Sequence, residues 1–459
     1  MNPTSNSDRI SAKERWSYGI GSIGNNIIYG LMTTYLLYYY SDVYIIPLAV
    51  VGTMFIVVRI FDAINDPIFG FLIDNTHSRW GRFRPYLLFA PFAMAMIVAL
   101  VFLSPNLSPT GMIIWAFITY TSWSVAFTLM DVPFWSMSAA LTQDPKERSN
   151  LIMLPRALAV VGIIGANVVT IPLVKAFGGS ENSTKGWFYL AILFGILAIV
   201  MTLITFFNVK ERDFGVKRER NRISDVIKLF KTNKPLLLLL VSMLIGDMTI
   251  AFKTAFSVYY VQYNYNAPEF IPIAMGIYAF ATIAGYLLGT PLSNRIGKRN
   301  GARLGLLITV FAAVGLFLSG YHSLVILCVW IAIGGFADGA TDLARMSMLA
   351  DTVEYGELKT GKRQEGIIFS TNTFKTKIAS AIAGGGAAYI LLFLKYQQNS
   401  TQTTVTLNGI HFSFALIPGI LALISFIPLS WYNLNEKRFQ EIVNELHMKE
   451  NQHLGEDDN

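Results

Sequence analysis

Along this chain, apolar residues come in blocks of about 20 or more, the length needed to cross a hydrocarbon core of ~30 Å. Short polar segments separate the blocks. The pattern predicts twelve transmembrane helices over 17–40, 46–73, 84–104, 111–139, 151–177, 187–209, 235–263, 268–293, 301–319, 323–350, 365–394 and 408–434. Gly and Pro inside such blocks are ordinary for membrane helices, because neighbouring helices re-satisfy the freed backbone groups. The longest inner polar interruption divides the blocks into two sets of six. The expected organisation is an N-terminal six-helix bundle over 1–209, a cytoplasmic middle loop over 210–234, a C-terminal six-helix bundle over 235–434 and a cytoplasmic tail over 435–459. A basic loop recurs at matching places, HSRWGRFRP after the second span and RIGKRNGAR after the eighth. Related halves around a midplane site would produce this repeat. So would two independent positive-inside signals.

Composition agrees with a membrane protein: 53% of the 459 residues are hydrophobic and 14% are charged, against ~25% charged in a soluble domain. The formal charge of +7 does not point to nucleic acid, because the basic residues sit in short loops between apolar blocks. Arg79, Arg82, Arg84, Lys146, Arg148, Lys298, Arg299, Arg303 and the middle-loop cations all fall on one side, leaving only Lys185 and Lys395 in outer loops. That bias puts both termini in the cytoplasm. The first apolar block is too long for a cleavable signal peptide. Cys328, alone inside an apolar block, has no internal disulfide partner. The five histidines are scattered, and no nucleophile–base pair, metal-ligand cluster or phosphate loop is visible. A transporter rather than an enzyme is expected, acting as a monomer in the cell membrane without a cofactor.

Ionisable residues inside spans cost at least ~2.5–3.5 kcal/mol each at a helix centre and usually line a water-filled cavity or pair with one another. This chain keeps Arg59, Asp62, Asp66, Asp131, Arg156, Lys175, Asp247, Lys253, Asp338, Asp342, Arg345, Lys375 and Lys377. Asp338, Asp342 and Arg345 are close enough in sequence to form one local cluster on the tenth span. Asp62 and Asp66, four residues apart, share a helix face. Two carboxylates so close in low dielectric are relieved by sharing a proton or binding a cation, and oxygen ligation suits a hard cation. Asn65 adds an amide oxygen, and Pro67 frees a carbonyl one turn back. Alternatively, Arg59 neutralises one carboxylate as a structural pair. On the fourth span Asp131 stands four residues before Trp135, an arrangement suited to a sugar: the carboxylate accepts from hydroxyls and the indole stacks on the pyranose ring. Plain packing of the indole is the competing explanation.

Several stretches resemble the glycoside–pentoside–hexuronide:cation symporter family, which includes melibiose permease. They are SYGIGSIGNN at Ser17–Asn26, TYLLYYYSDV at Thr34–Val43, VVRIFDAINDPIFG at Val57–Gly70, SRWGRFRP at Ser78–Pro85, DVPFWS at Asp131–Ser136, DTVEYGELKTGKRQEG at Asp351–Gly366 and the segment around Lys377. The resemblance implies an all-α major-facilitator fold and symport of a sugar with Na+, H+ or Li+. It carries a cation site onto Asp62, Asn65, Asp66 and Thr128. It carries a sugar site onto Asp131, Trp135, Arg156, Asn372, Thr373, Thr376 and Lys377, with Asn25 and Asn26 at the first-span position. There melibiose permease has Lys-Asp, so this chain lacks a carboxylate that grips a galactosyl unit, and an α-galactoside is disfavoured. Asp131 would repel a uronate unless Arg156 and Lys377 outweighed it, which favours a neutral glycoside or pentoside over a hexuronide. An amphiphilic, lysolipid-like cargo would leave the polar groups of the first, fourth, fifth and eleventh spans without a purpose.

Overall fold

A computed structural model describes residues 10–74, 76, 78–142, 145–212, 223–361 and 364–457. The side chains of some helical residues, Asp66 among them, lie outside that description. The described residues form helices and their connections, without a strand.

Twelve long helices follow one another: α1 Ala12–Tyr38, α2 Leu48–Asp74, α3 Arg84–Val101, α4 Pro109–Ser136, α5 Pro145–Gly178, α6 Thr184–Asn208, α7 Lys234–Tyr259, α8 Ile271–Ile296, α9 Lys298–Ser319, α10 Leu324–Thr360, α11 Glu365–Phe393 and α12 Thr404–Trp431. A polar helix, α13 (Glu436–Asp457), follows. Among the described residues ten of these helices are long and apolar enough to span a membrane by composition alone; α1 and α2 are the long ones left out. Both are 27 residues long, ample for ~30 Å at 1.5 Å per residue. α1 falls short through polarity, being rich in Gly, Tyr and Asn, whereas α2 is apolar over most of its length and several of its side chains from residue 63 onward lie outside the description. Exposed apolar side chains such as Phe280, Leu318, Phe393 and Trp431 cover the helices with the surface that lipid requires.

Helices overrun the apolar blocks where nothing stops them. α1 starts at Ala12 rather than 17 because Ser11 and Glu14 close a capping box, with Ser11 Oγ accepting from the Glu14 amide and satisfying orphan donors. α10 continues through Asp351–Thr360 to Gly361, whose φ of 74° supplies the left-handed stop. The end of the hydrocarbon core does not end a helix; a cap does.

The chain forms two compact units. The first comprises the described residues of Met1–Lys217 with Ala267–Gly276 and Ala388–Gln402; the second comprises those of Arg218–Asn266, Ile277–Ala387 and Thr403–Asn459. Within the first unit, α1 packs on α5 and α6 by close backbone approach. A Cβ on Gly162 would lie 2.7 Å from the Ile23 carbonyl oxygen, and one on Gly24 would lie 3.0 Å from Ala198 Cα, the small-residue contact that membrane helices favour. Within the second, α8 meets α10 so tightly that a Cβ on Gly339 would fall 2.2 Å from the Thr282 oxygen.

The units share details. α1 and α7 both end in a π-turn, Tyr39–Val43 and Tyr260–Asn264. Both basic loops turn on a positive-φ glycine, Gly81 at 105° and Gly297 at 90°, and each is clasped by a glutamate. Glu211 accepts from the amides of Arg82, Phe83 and Arg84 at 2.8, 2.7 and 2.8 Å. Glu436 accepts from the Lys298 amide at 2.5 Å. Each glutamate lies just beyond the sixth helix of its set, so the recurring loop carries a recurring contact.

Candidate functional site

In the first unit, α1 and α4 bring Asn25 to Asp131. Asp131 Oδ1 accepts from Asn25 Nδ2 at 2.8 Å and from the Trp135 indole N–H at 3.0 Å. The four-residue spacing of Asp131 and Trp135 on one helix makes the second bond local; the first needs tertiary packing across more than a hundred residues. Trp135 stands edge-on to Phe134, with ring centroids 5.3 Å apart, and Phe134 stacks on Tyr18 at 4.7 Å. The Tyr18 hydroxyl donates to the Phe134 carbonyl at 2.7 Å. Phe134 and Tyr18 are fully buried, so they are the wall against which the carboxylate and indole are set. Asn26 does not join Asn25: its amide turns back to the Ser22 carbonyl at 2.8 Å. Arg156, on α5, keeps an exposed side chain.

One helix away is the second group of predicted residues. Asp62 is fully buried. Its Oδ2 faces Arg59 Nη1 at 3.2 Å, and its Oδ1 accepts a very short hydrogen bond from Ser124 Oγ. Thr128, one turn further along α4, is buried and donates to the Ser124 carbonyl at 3.2 Å. Asn65 is buried with its amide nitrogen lacking a hydrogen-bond partner, although a buried orphan donor costs about 1–3 kcal/mol. The Arg59 guanidinium lies 6.0 Å from the Trp123 ring centroid. The Asp66 side chain lies outside the described residues, so of the four predicted ligands the described ones are Asp62, Asn65 and Thr128. Ser124 was missed. Its signal was spacing, since Ser124, Thr128 and Asp131 run at four- and three-residue steps along α4.

The pair of Arg59 with Asp62, one of the two readings open from the sequence, is present. It does not remove the other. The oxygens of Asp62, Ser124, Thr128 and Asn65 are of the kind that a hard monovalent cation takes. Arg59 holds only one carboxylate oxygen, at a distance longer than the 2.7–2.9 Å of a close charge-assisted bond.

In the second unit, α11 carries the remaining predicted residues. Thr376 Oγ1 donates to Asp247 Oδ2 at 2.7 Å, and Lys375 Nζ reaches the same oxygen at 2.7 Å. Asn372 places its amide nitrogen 3.8 Å from Met346 Sδ, and its buried Oδ1 has no hydrogen-bond partner. Thr373 is exposed and bonds back to Phe369 O at 3.3 Å. Lys377 is partly buried. Asp247 and Lys375, which the sequence flagged only as charges inside spans, are thus the direct neighbours of Thr376.

The tenth-span charges do not form one local cluster. Asp338 Oδ2 accepts from Lys253 at 2.7 Å and Tyr278 at 3.0 Å, and Oδ1 accepts from Thr309 at 3.1 Å. Asp342 takes Tyr286 at 3.1 Å, and Arg345 donates to the Ser242 carbonyl at 3.3 Å. Residues 338, 342 and 345 lie along one face of α10 at different heights, and each finds its partner on α7, α8 or α9. Lys175 pairs with Glu181 at 3.2 Å just past the end of α5, so it belongs to a helix end.

Twelve long helices with polar and charged groups turned inward in each unit define a multi-pass membrane transporter of the major-facilitator class. A family model described as MFS/sugar transport protein matches residues 17–436, and the chain belongs to that family, within its glycoside–pentoside–hexuronide symporter branch. It is 32% identical over 445 residues to an isoprimeverose transporter of Lactiplantibacillus pentosus, covering 95% of this chain and 92% of that one. It is 27% identical over 439 residues to a putative glycoside/cation symporter of Escherichia coli (strain K12), covering 95% of each. A crystal structure of a bacterial homologue of the human lysosomal transporter Spinster superposes with a TM-score of 0.69 at 13% identity, covering 95% of this chain and 99% of that one; that likeness concerns the fold.

Proposed function

We propose that this chain imports a neutral glycoside or pentoside across the cell membrane, with both termini in the cytoplasm, and drives it with the inward movement of one monovalent cation. The observation that carries this reading is Asp62, which among the described residues is a fully buried carboxylate with one arginine and one hydroxyl for partners. A cation entering among Asp62, Asn65, Asp66 and Thr128, with Ser124, displaces Arg59 from Asp62 Oδ2 and supplies the missing charge. Na+ is the first choice, with Li+ and H+ as alternatives that the same oxygens accept.

The sugar is read by Asp131 and Trp135, with Asn25 holding the carboxylate. A neutral ring offers hydroxyls to Asp131 and its C–H face to the indole. A uronate brings a second negative charge to the same place. Arg156 is a further proposed sugar contact in the first unit, and in the second unit Asn372, Thr373, Thr376 and Lys377 are the proposed sugar contacts. Cation and sugar affinities must then rise together by one factor, ~5–150-fold for a typical coupling of ~1–3 kcal/mol. Inward cation movement also draws ~2.3 kcal/mol per charge per 100 mV of membrane potential.

The test uses the purified chain in proteoliposomes with isoprimeverose as the neutral probe and a glucuronide as the anionic one. Isoprimeverose is expected to accumulate only under an inward Na+, Li+ or H+ gradient, and faster with the interior negative. Equilibration without accumulation under every gradient means a facilitator and overturns the symport reading. Accumulation of the glucuronide in preference to isoprimeverose overturns the neutral-substrate reading.

A further inference from the structure

We propose that Asp247 on α7 and Lys375 on α11 form, with Thr376 and Asn372, a hydroxyl-binding cluster in the second unit that selects a neutral polyol; this rests on the sugar-transport reading above. Lys375 Nζ and Thr376 Oγ1 both reach one oxygen of Asp247, Oδ2, each at 2.7 Å. The other oxygen, Oδ1, takes no hydrogen bond among the described residues. One turn back on α11, the buried Oδ1 of Asn372 is an acceptor without a donor, and its Nδ2 has only a thioether at 3.8 Å. An ammonium carries three donor hydrogens, and Lys375 spends one on Asp247. Two uncommitted acceptors and an ammonium with donors to spare, side by side, are the complement of adjacent sugar hydroxyls, each of which gives one hydrogen and accepts another.

The charge balance narrows the ligand further. Lys375 is neutralised by Asp247, so the cluster has no spare positive charge for a carboxylate or sulfonate. The nearby tenth-helix groups repeat the balance, with Asp342 bonded to Tyr286 and Arg345 to the Ser242 carbonyl.

Helix order supplies an independent argument. In the first set of six, the proposed sugar contacts Asn25, Asp131 and Arg156 stand on the first, fourth and fifth helices. In the second set, Asp247, Asp342 and Lys375 stand on the first, fourth and fifth helices as well. These three groups of each half thus stand on corresponding helices, while Arg59 and Asp62 on the second helix belong to the first half alone.

The experiment measures equilibrium binding of isoprimeverose and of its monodeoxy derivatives to the full-length protein in nanodiscs, at saturating Na+. Asp247→Asn is expected to lose about tenfold in affinity, the effect of weakening one bond to a charged group, and to bind one monodeoxy derivative as well as the parent sugar, a distinction the unaltered protein makes. Lys375→Met is expected to behave alike for a neighbouring hydroxyl, and the double variant D247N/K375M to recover neither. Thermal melting of each variant reports folding, and Lys375→Arg keeps the charge should Lys375→Met not fold. Full recovery of affinity in the double variant means a structural ion pair and overturns the proposal. So does Asp247→Asn binding every derivative as the unaltered protein does. If the unaltered protein binds no member of the panel, the sugar reading itself fails, and this proposal with it.

Discussion

Two buried carboxylates, one in each unit, sit in opposite circumstances. Asp338 has three partners: lysine and tyrosine on one oxygen, threonine on the other, all within 3.1 Å. Asp62 has, among the described residues, one arginine at 3.2 Å and one serine. An ionised carboxylate has about four acceptor sites. Both carboxylates are bonded on both oxygens, but among the described residues Asp338 takes three partners and Asp62 two, its arginine at the longer 3.2 Å, so Asp62 keeps more acceptor sites for an ion. The comparison teaches that charge within a membrane span marks importance, while the count and length of its bonds separate a strut from a binding site.

The largest effect is expected from Asp62→Asn, which removes the charge that a cation would balance. Cation-driven accumulation of isoprimeverose in proteoliposomes is lost while equilibrium sugar binding persists. Accumulation with unchanged sodium dependence would abolish the distinction between the two carboxylates.

Asp338→Ala should instead act on stability. It strands Lys253 in the interior, and breaking a buried pair from one side costs ~3–5 kcal/mol. The variant should melt far below the unaltered protein in detergent, and Lys253→Met combined with Asp338→Leu should regain most of the loss. A D338A protein that melts normally but loses its cation dependence would exchange the two roles.

A smaller effect belongs to the sugar contacts. Asp131→Ala leaves the Asn25 amide and the Trp135 N–H without their acceptor, a penalty of about 1–3 kcal/mol. Together with the lost hydroxyl contact, calorimetry should show glycoside affinity falling roughly tenfold or more, with sugar-free sodium affinity unchanged. Trp135→Ala should lose affinity by removing the stacking face. Normal affinity in either variant takes that residue out of the site.

The smallest belongs to Ser124→Ala. One neutral hydrogen bond to Asp62 is worth about 0.5–1.5 kcal/mol, so sodium affinity should shift by a few-fold in a direct binding titration. No shift would exclude Ser124 from the ligand set and leave Asp62 with Arg59 alone.

Much of this molecule was legible in the chain itself. Apolar block length fixed the number of spans, because the hydrocarbon core has one thickness, and helix periodicity fixed the local geometry of Asp131 with Trp135 and of Arg59 with Asp62. The inventory of charged residues inside spans picked out Asp62, Asp131, Asp247 and Asp338, since each carries a cost that only function or pairing offsets, but it passed over the buried Asp42 and Asp351. What the chain left open was partnership. Asp338, Asp342 and Arg345 looked like one cluster because sequence measures distance along a single helix, but each side chain bonds to a neighbouring helix. Asn25 and Asn26 looked equivalent, and only packing against α4 sends one to Asp131 and leaves the other on its own backbone. Glu211 and Glu436 belong to no motif read from the sequence, and only the glycine turns bring backbone amides to them. Span and face are set by local periodicity and solvent, which one sequence contains. The partner of a buried charge is chosen by which helices lie close enough to meet it, and only the tertiary structure decides that.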